Sequence, residues 1–335
     1  MSHINMSLTE AHDLALSCLI TNGCDDVNAR ACADRMIEAE GDLCHSHGLF
    51  RLPWYVAGVR SGRVNGRAKP TVEQLAPAVI RVNGDRGYAP LGQKTAHQPL
   101  VDCARKNGIA ALAFTNMFHI AAMWPEVEAL ARDGLCAIAV TPSYPYVAPA
   151  GGTKPLFGTN PMGFGWPRKD ADPLVFDQAS SSMARGEIQL AARDGRSVPE
   201  TAGIGPDGVP STDPNVILQG AQLGFGGYKG ASLAMMVELI AGPLIGEFLS
   251  IESLEDDAGK GGPPKGGELI IALDPAMFGD APGFLEHGEK LFGAILEQNG
   301  TRLPGARRFE NRKLTAQQGI AIPNSLHQEI LDLLA

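Results

Sequence analysis

The sequence lacks the marks of several large protein classes. Its six cysteines are scattered without a CxxC pair, so neither a zinc ribbon nor a dithiol redox site is expected. In a chain of 335 residues they indicate reduced thiols and a cytoplasmic protein. No uninterrupted apolar run approaches the ~20 residues of a membrane span. The first residues hold no basic stretch followed by an apolar one, so no signal peptide is expected.

Positive charge is also scarce, with 28 lysines and arginines against 37 aspartates and glutamates and a net charge of −9. This balance argues against a nucleic acid or an anionic membrane as the partner, and we expect neither. The hydrophobic share of 44% is that of a globular chain with a large core. A local basic pocket remains the place where such a chain would bind phosphates.

Hydrophobic periodicity predicts a mixed α/β protein. Ser7 and Glu10 form a capping-box pattern, and Asp25 or Asp26 can cap the next helix. We expect helices over 8–21, 26–40, 52–62, 91–106, 125–132, 180–193, 228–249, 282–298 and 325–334. Strands are expected over 78–82, 109–114, 135–140, 174–176 and 269–273. Residues 250–267 are predicted to be a surface loop.

The usual dinucleotide motifs are missing. Gly203, Gly205 and Gly208 match GxGxxG, but the Val-Pro-Ser-Thr-Asp-Pro that follows cannot open a helix, so a turn without a cofactor role is expected. The segment FGGYKG (225–230) does precede a predicted helix. Its backbone amides and Lys229 are suited to holding a phosphate.

The segment CHSHGLFRLP (44–53) concentrates polar chemistry, since it holds two of the eight histidines. A histidine titrates near pH ~6.5 and can exchange a proton with a substrate, Ser46 can orient it, and Arg51 suits a substrate carboxylate. Three alternatives stay open: a solvated turn, a structural role for Arg51, and a zinc site completed by the distant His119.

Three further groups of residues are candidates. His119 follows a predicted strand at a βα junction, where it either binds a ligand or caps the junction. Arg185 and Glu187 lie in one helical pattern but do not share a face. The basic turn RLPGARR (302–308) is either a surface patch or a phosphate clamp.

These segments together resemble one family, the type-2 malate/L-lactate dehydrogenases, which use NAD(P)H without a Rossmann fold. The resemblance covers nearly the whole chain and is carried, in order, by SHGLFRLPWYVAGVRSG (46–62), HIAAMWPEVEALARDGL (119–135), KPLFGTNPMGFGWP (154–167), VFDQASSSMARGEIQLAARDG (175–195), FGGYKGASLAMMVELI (225–240) and RLPGARR (302–308). Within the family the chain is most similar to reductases of Δ1-piperideine-2-carboxylate and Δ1-pyrroline-2-carboxylate, on HSHGLFR, AAMWPEVE, residues 185–189 and FGGYKG.

The resemblance implies a function and a set of site residues. The function is reduction of cyclic imino acids to L-pipecolate or L-proline with NADPH. Ser46, His47 and Glu187 would form the proton relay, with His47 as donor, and no metal is implied. Substrate contacts would come from Arg51, Thr159 and Arg185. Cofactor contacts would come from His119, Ile120, Ala121, Ala122, Met123, Asp177, Gln178, Ala179, Tyr228, Lys229, Gly305, Arg307, Arg308 and Glu310.

The chain departs from the family pattern at three places. Glu187 stands where similar relatives have aspartate, Arg185 where they have histidine, and Asn116-Met117-Phe118 where they often have Gly-Ser-His. Two alternatives to imine reduction follow. One is an NAD(P)-dependent dehydrogenase of malate, L-lactate or ureidoglycolate, and the other is a catalytically silent binding protein.

The resemblance also implies an architecture. The fold would be α/β with a mostly antiparallel mixed sheet. Residues 76–284 would form the NADPH-binding and catalytic domain. Residues 1–75 and 285–335 would form a helical domain built from both termini, and the active site would be shared in a homodimer.

Overall fold

The computed structural model describes residues 2–119, 122–279 and 283–335. The strands are β1 (His3–Met6), β2 (Thr71–Ala76), β3 (Val79–Asn83), β4 (Ile109–Phe118), β5 (Cys136–Val140), β6 (Met162–Trp166), β7 (Leu174–Gln178), β8 (Gly203–Ile204), β9 (Ala221–Gln222), β10 (Lys265–Leu273) and β11 (Ile320–Pro323). The helices are α1 (Leu8–Thr21), α2 (Asp26–Gly41), α3 (Leu52–Arg60), α4 (Ala89–Asn107), α5 (Trp124–Arg132), α6 (Arg185–Arg193), α7 (Pro214–Gln219), α8 (Tyr228–Ala241), α9 (Ser250–Asp257), α10 (Phe284–Leu296), α11 (Ala306–Gln318) and α12 (Asn324–Leu334).

A seven-stranded mixed sheet forms the centre, in the order β2-β3-β4-β10-β5-β6-β7. Only the β3–β4 pair in this sheet is parallel. A Rossmann sheet is mostly parallel, so this pairing confirms the expected non-Rossmann, mostly antiparallel α/β fold.

Helices cover both faces of the sheet. Successive residues of a strand point to opposite sides, so the apolar side chains of a central strand such as β4 pack against helices on both faces. On one face Leu112 and Phe114 of β4 pack with Leu100 of α4 and Leu130 of α5. On the other face Ala113, the residue between them, packs with α8. Each fully buried large apolar side chain contributes about 1.5–3 kcal/mol of transfer free energy.

Helices from both ends of the chain share a second hydrophobic core. It contains Leu19 of α1, Met36 of α2, Val56 of α3 and Ile330 of α12. Antiparallel pairing of β1 with β11 closes this layer. Helix α10, which the prediction assigned to the same helical layer, contacts the sheet through Trp166 of β6. The predicted domain boundaries stay a prediction.

Most predicted elements are found, and four differences have local causes. Helix α6 begins at Arg185 rather than 180, because Ser180 and Ser182 donate backbone hydrogen bonds to other loops. Helix α8 ends at Ala241 rather than 249, before Gly242 and a proline. Residues 250–257 were expected in a loop but form α9, whose start is capped by Glu252. Gly305, at φ 84°, begins α11, so the basic turn continues into a helix that the sequence reading missed. The prediction also missed helix α7 and strands β1, β2, β6, β8, β9 and β11.

Residues 228–245 are long and apolar enough to cross a membrane by composition, with a mean hydropathy of 1.2. The helical part ends at Ala241, and Ala234, Val237 and Ala241 are buried. This burial against the sheet is the pattern of a core helix.

Candidate active site

One cavity of about 350 Å³ brings together most of the predicted site residues. It lies where the turns between α2 and α3 meet the ends of β4 and β7 and the start of α6. The predicted residues that line it are Ser46, His47, Arg51, His119, Ala122, Thr159, Asp177, Gln178, Ala179, Arg185, Glu187 and Arg308.

The CHSHGLFRLP segment (44–53) is held in place by a buried carboxylate. Residues His45–His47 and Leu49–Arg51 form two short 3₁₀ turns before α3. Glu40, 1% exposed, accepts hydrogen bonds from His45 Nδ1 at 2.6 Å and from the Leu49 amide at 2.8 Å. The hydrogen bond to Glu40 raises the pKa of His45. These bonds bracket Ser46 and His47 and set their position.

The His47 imidazole faces the cavity in its neutral form. Its Nδ1 lies 3.1 Å from Ser46 Oγ, and its ring meets Trp124 edge-on at 6.2 Å between centroids. Burial, together with the nearby Arg51 and His119, lowers the pKa of His47 to about 3. Because Nδ1 faces Ser46, Nε2 is the ring nitrogen available to a ligand.

Arg51 carries a buried positive charge beside this imidazole. The side chain is 5% exposed, with Nε donating to the Ser46 carbonyl at 2.7 Å and Nη1 donating to Gln189 Oε1 at 3.1 Å. No carboxylate lies within ion-pair distance of it in the described part of the chain. Burial lowers the pKa of Arg51 to about 10, so it is charged at neutral pH. A β-carbon on Gly186 would lie 2.5 Å from Nη2, so the glycine makes room for the guanidinium.

Arg185 brings a second guanidinium to the cavity. It lies over the Tyr146 ring at 4.3 Å and donates from Nη2 to the Leu218 carbonyl at 3.0 Å. Its Nε is buried without a hydrogen-bond partner among the described residues. Two arginines without carboxylate partners make the cavity selective for anions, since an unpaired buried charge is costly.

Glu187 lies at the rim of the same cavity, but it does not complete a relay in this geometry. Its side chain is exposed, and within residues 2–119, 122–279 and 283–335 no hydrogen bond joins it to His47. The role predicted for it therefore stays a prediction. Thr159 lies closer in, with Oγ1 3.3 Å from Ser143 Oγ. Its loop is anchored by buried Glu238, which accepts from the Gly158 amide and the Asn160 side chain.

Some of the predicted cofactor residues line the cavity, and others do not. His119, Asp177 and Arg308 line the cavity with Ala122, Gln178 and Ala179. Met123 is fully buried and contributes its amide, which donates to Asp177 Oδ2 at 2.6 Å. Burial raises the pKa of Asp177 to about 6. Four others are exposed and do not line the cavity: Tyr228, Lys229, Arg307 and Glu310. Gly305 begins α11, and Ile120 and Ala121 lie outside the described residues.

The three histidines of the zinc alternative have separate partners. His45 is bound to Glu40, His47 to Ser46, and His119 lies 3.2 Å from Gln93 Nε2. A shared ion would need one nitrogen of each histidine to converge, and among the described residues the ligand atoms of these three histidines do not all lie within 4.8 Å of one another.

Several residues that shape the site were not singled out from the sequence. Gln189 could have been found by its i, i+4 spacing from Arg185 on one helix face. Tyr146 lies in a proline-rich loop that gave no periodic signal. Glu40 and Gln93 sit in helical patterns typical of solvated residues, and only tertiary packing buries them.

Comparison with known proteins identifies the family. Residues 6–331 match the profile of the malate/L-lactate dehydrogenase family. A Δ1-pyrroline-2-carboxylate/Δ1-piperideine-2-carboxylate reductase of Pseudomonas aeruginosa is 47% identical over 99% of both chains. A Δ1-pyrroline-2-carboxylate reductase of Ancylobacter novellus is 46% identical over 98% of this chain and 96% of its own.

The solved structures agree with the sequence comparison. The Δ1-piperideine-2-carboxylate reductase of Pseudomonas syringae pv. tomato superposes with a TM-score of 0.93 at 38% identity, over 98% of this chain and 99% of that one. The chain belongs to the malate/L-lactate dehydrogenase family.

Proposed function

We propose that this protein reduces cyclic imino acids, converting Δ1-piperideine-2-carboxylate to L-pipecolate and Δ1-pyrroline-2-carboxylate to L-proline with NADPH. Relatives of 45–47% identity that match over nearly their full length carry these reductase names. The observation that carries the proposal is Arg51, a buried guanidinium without a carboxylate partner among the described residues, beside the His47 imidazole. This pair suits a small molecule with a carboxylate at one end and a basic nitrogen at the other.

The residues of the cavity fit the nicotinamide end of a dinucleotide. About 350 Å³ accommodates that ring together with a small substrate, but not the whole cofactor. The adenosine half would therefore extend outward, toward Arg308 and the exposed Arg307. Arg308 is held by the Val175 carbonyl at 2.9 Å and lies over the Trp124 ring. Its Nε is buried without a partner in the described chain, and a phosphate would satisfy it.

In the proposed mechanism the chain supplies orientation and a proton. Arg51 binds the substrate carboxylate and turns the C=N carbon toward the cofactor, which can account for several kcal/mol of the barrier. When bound, the reduced nicotinamide supplies the hydride. The substrate carboxylate offsets the charge of Arg51, one cause of the low pKa of His47. The imidazole can then hold a proton at Nε2 against the imine nitrogen, with Ser46 orienting Nδ1.

A second candidate is oxidation or reduction of a 2-hydroxy acid such as malate, L-lactate or ureidoglycolate. The low pKa of His47 favours it, because a neutral imidazole is ready to act as a base toward a hydroxyl group. Arg51 would bind the carboxylate of this substrate in the same way.

A substrate panel separates the two functions. We expect NADPH absorbance to fall with both cyclic imines and to fall far more slowly with oxaloacetate or pyruvate at equal concentrations. The His47→Ala protein serves as the blank for the spontaneous reaction. Faster turnover of either 2-oxo acid than of both imines would overturn imine reduction. Tight NADPH binding without turnover of any substrate would instead favour a binding protein.

The preference for NADPH is proposed on the basic residues at the start of α11. Arg307→Ala should raise KM for NADPH far more than KM for NADH, because a 2′-phosphate loses a charged donor and a hydroxyl group does not. Arg302→Ala, an exposed neighbour in the same turn, is the matched control. Equal changes in the two KM values would remove this assignment.

We also infer a homodimer located in the cytoplasm. Tyr228, Met235 and Leu239 are 67%, 50% and 54% exposed and share one face of α8. Leu244, in the short turn after α8, is also 68% exposed. Exposed large apolar side chains of this kind are typical of a subunit contact.

A further inference from the structure

A buried polar cluster lies directly behind the active-site cavity, and the proposed mechanism does not use it. It joins five elements: Arg35 from α2, Gln93 from α4, His119 from the end of β4, Glu126 from α5 and Glu268 from β10. We propose that Gln93, oriented by Arg35 and Glu268, is a positioning residue that fixes the tautomer of His119 so that Nδ1–H faces the cofactor side of the cavity. The proposal extends the proposed function, but its main test does not depend on turnover.

Gln93 contacts both neighbours through one atom. Its side-chain nitrogen lies 2.8 Å from Glu268 Oε2 and 3.2 Å from His119 Nε2. An amide nitrogen carries two hydrogens and accepts none, so it can donate to both. His119 Nε2 is then the acceptor, and the single hydrogen of the neutral ring must be on Nδ1.

The orientation of the Gln93 amide is fixed from both ends. Its Oε1 lies 3.5 Å from Arg35 Nη2, at the limit for a hydrogen bond, and a guanidinium can only donate. Glu268 is 0% exposed and presents a carboxyl oxygen to the other end. A reversed amide would place Oε1 against that oxygen and its own N–H groups against the guanidinium. Both neighbours therefore favour the same orientation.

The tautomer matters because His119 is neutral and borders the active site. Burial lowers the pKa of His119 to about 3, and the Arg35 charge acts in the same direction. The His119 amide donates to the Pro264 carbonyl at 3.2 Å, which fixes the backbone beside the ring. With Nε2 occupied by Gln93, the ring offers the cavity a donor rather than an acceptor. A nicotinamide carboxamide oxygen or a phosphate oxygen is the kind of group that such a donor would bind.

The two buried carboxyl groups of the cluster, Glu126 and Glu268, leave room for the Gln93–His119 hydrogen bond. Both oxygens of Glu126 and Oε1 of Glu268 are buried without hydrogen-bond partners among the described residues. Arg35 faces Glu126 at 3.5 Å and also binds the exposed Glu38, so one guanidinium cannot neutralise both buried carboxyl groups. Burial raises the pKa of Glu126 to about 7, and burial together with the neighbouring Glu126 raises the pKa of Glu268, so the pair holds a proton near neutral pH. Glu268 Oε2 meanwhile stays an acceptor for Gln93.

A metal ion is the competing occupant of this cluster. Ligand atoms of His119, Glu126 and Glu268 lie within 4.8 Å of one another. The structure argues against a metal ion here, because the N–H groups of Gln93 point at two of the three ligand residues. The Arg35 charge beside the third would also repel a cation.

The test reads the tautomer directly in the full-length protein labelled with ¹⁵N-histidine. Two-bond ¹H–¹⁵N correlation spectra distinguish Nδ1–H from Nε2–H, and the His119→Gln spectrum assigns the signal. We expect Nδ1–H in the unsubstituted protein and a mixture of both tautomers in Gln93→Met, which removes the donor to Nε2. Gln98→Met, an exposed glutamine on the same helix, is the control and should leave the spectrum unchanged.

Cofactor affinity is the second measurement. Gln93→Met should weaken NADPH binding, measured by fluorescence, by about 3–10-fold, the worth of one hydrogen bond, and leave kcat at saturation nearly unchanged. An Nε2–H signal in the unsubstituted protein would overturn the proposal, and so would an unaltered Nδ1–H tautomer in Gln93→Met. One equivalent of bound metal in the purified protein would also overturn it. Absent imine turnover with the expected spectra would count against the proposed function alone.

Discussion

Replacing His47 by alanine is expected to lower kcat for the imino acid by about 10²–10⁴-fold, the usual worth of general acid–base help. Its Nε2 is the imidazole nitrogen that the cavity leaves available, since Nδ1 lies against Ser46. NADPH binding should survive, because Arg308 and Asp177 belong to other elements.

The comparison protein is His327→Ala, a histidine of α12 outside the cavity. Both proteins are measured by stopped-flow turnover and by NADPH fluorescence titration. A kcat near that of the unsubstituted protein would refute the proton role of His47. Loss of NADPH binding along with turnover would show that the substitution had disturbed the cofactor side as well.

Arg51→Met is expected to lower kcat/KM for the imino acid by about 30-fold to several thousand-fold. Truncating one partner of a buried charge pair costs about 2–5 kcal/mol, and each ~1.4 kcal/mol is tenfold. The effect should fall on KM at least as strongly as on kcat, because the carboxylate loses its anchor.

Arg51 also braces its own segment through the Ser46 carbonyl, so a purely structural role must be separated from binding. The NADPH dissociation constant and the unfolding temperature of Arg51→Met provide that separation. Arg81→Met, an exposed arginine of β3, controls for the lost charge. If NADPH binding weakens as much as imino-acid binding does, the carboxylate assignment is wrong.

Local sequence patterns predicted much of the fold because they act over one or two turns. Ser7 and Glu10 make the reciprocal capping bonds that begin α1 at Leu8. Asp25 accepts from the Asn28 amide and begins α2 in the same way. Strand β6 was missed because its residues, MGFGW, include two glycines, and glycine is depleted in strands.

The candidate site was predictable where its residues are neighbours in the chain. Ser46, His47 and Arg51 fall within one short segment, and the structure places all three at one cavity. The contacts that define their surroundings are distant in sequence. Gln189, which holds Arg51, is 138 positions away from it, and Glu268 is 175 positions from Gln93.

By itself the sequence determined the helix caps, several central strands and the set of polar groups in the CHSHGLFRLP segment, because each depends on spacings of a few residues. The tertiary structure alone decided which charges are buried and which are paired. It left Arg51 without a carboxylate among the described residues, put Glu187 at the rim, and buried Glu126 and Glu268 beside His119. The physical reason is that desolvation and hydrogen-bond pairing depend on packing between elements that meet only when the sheet and both helical layers have formed.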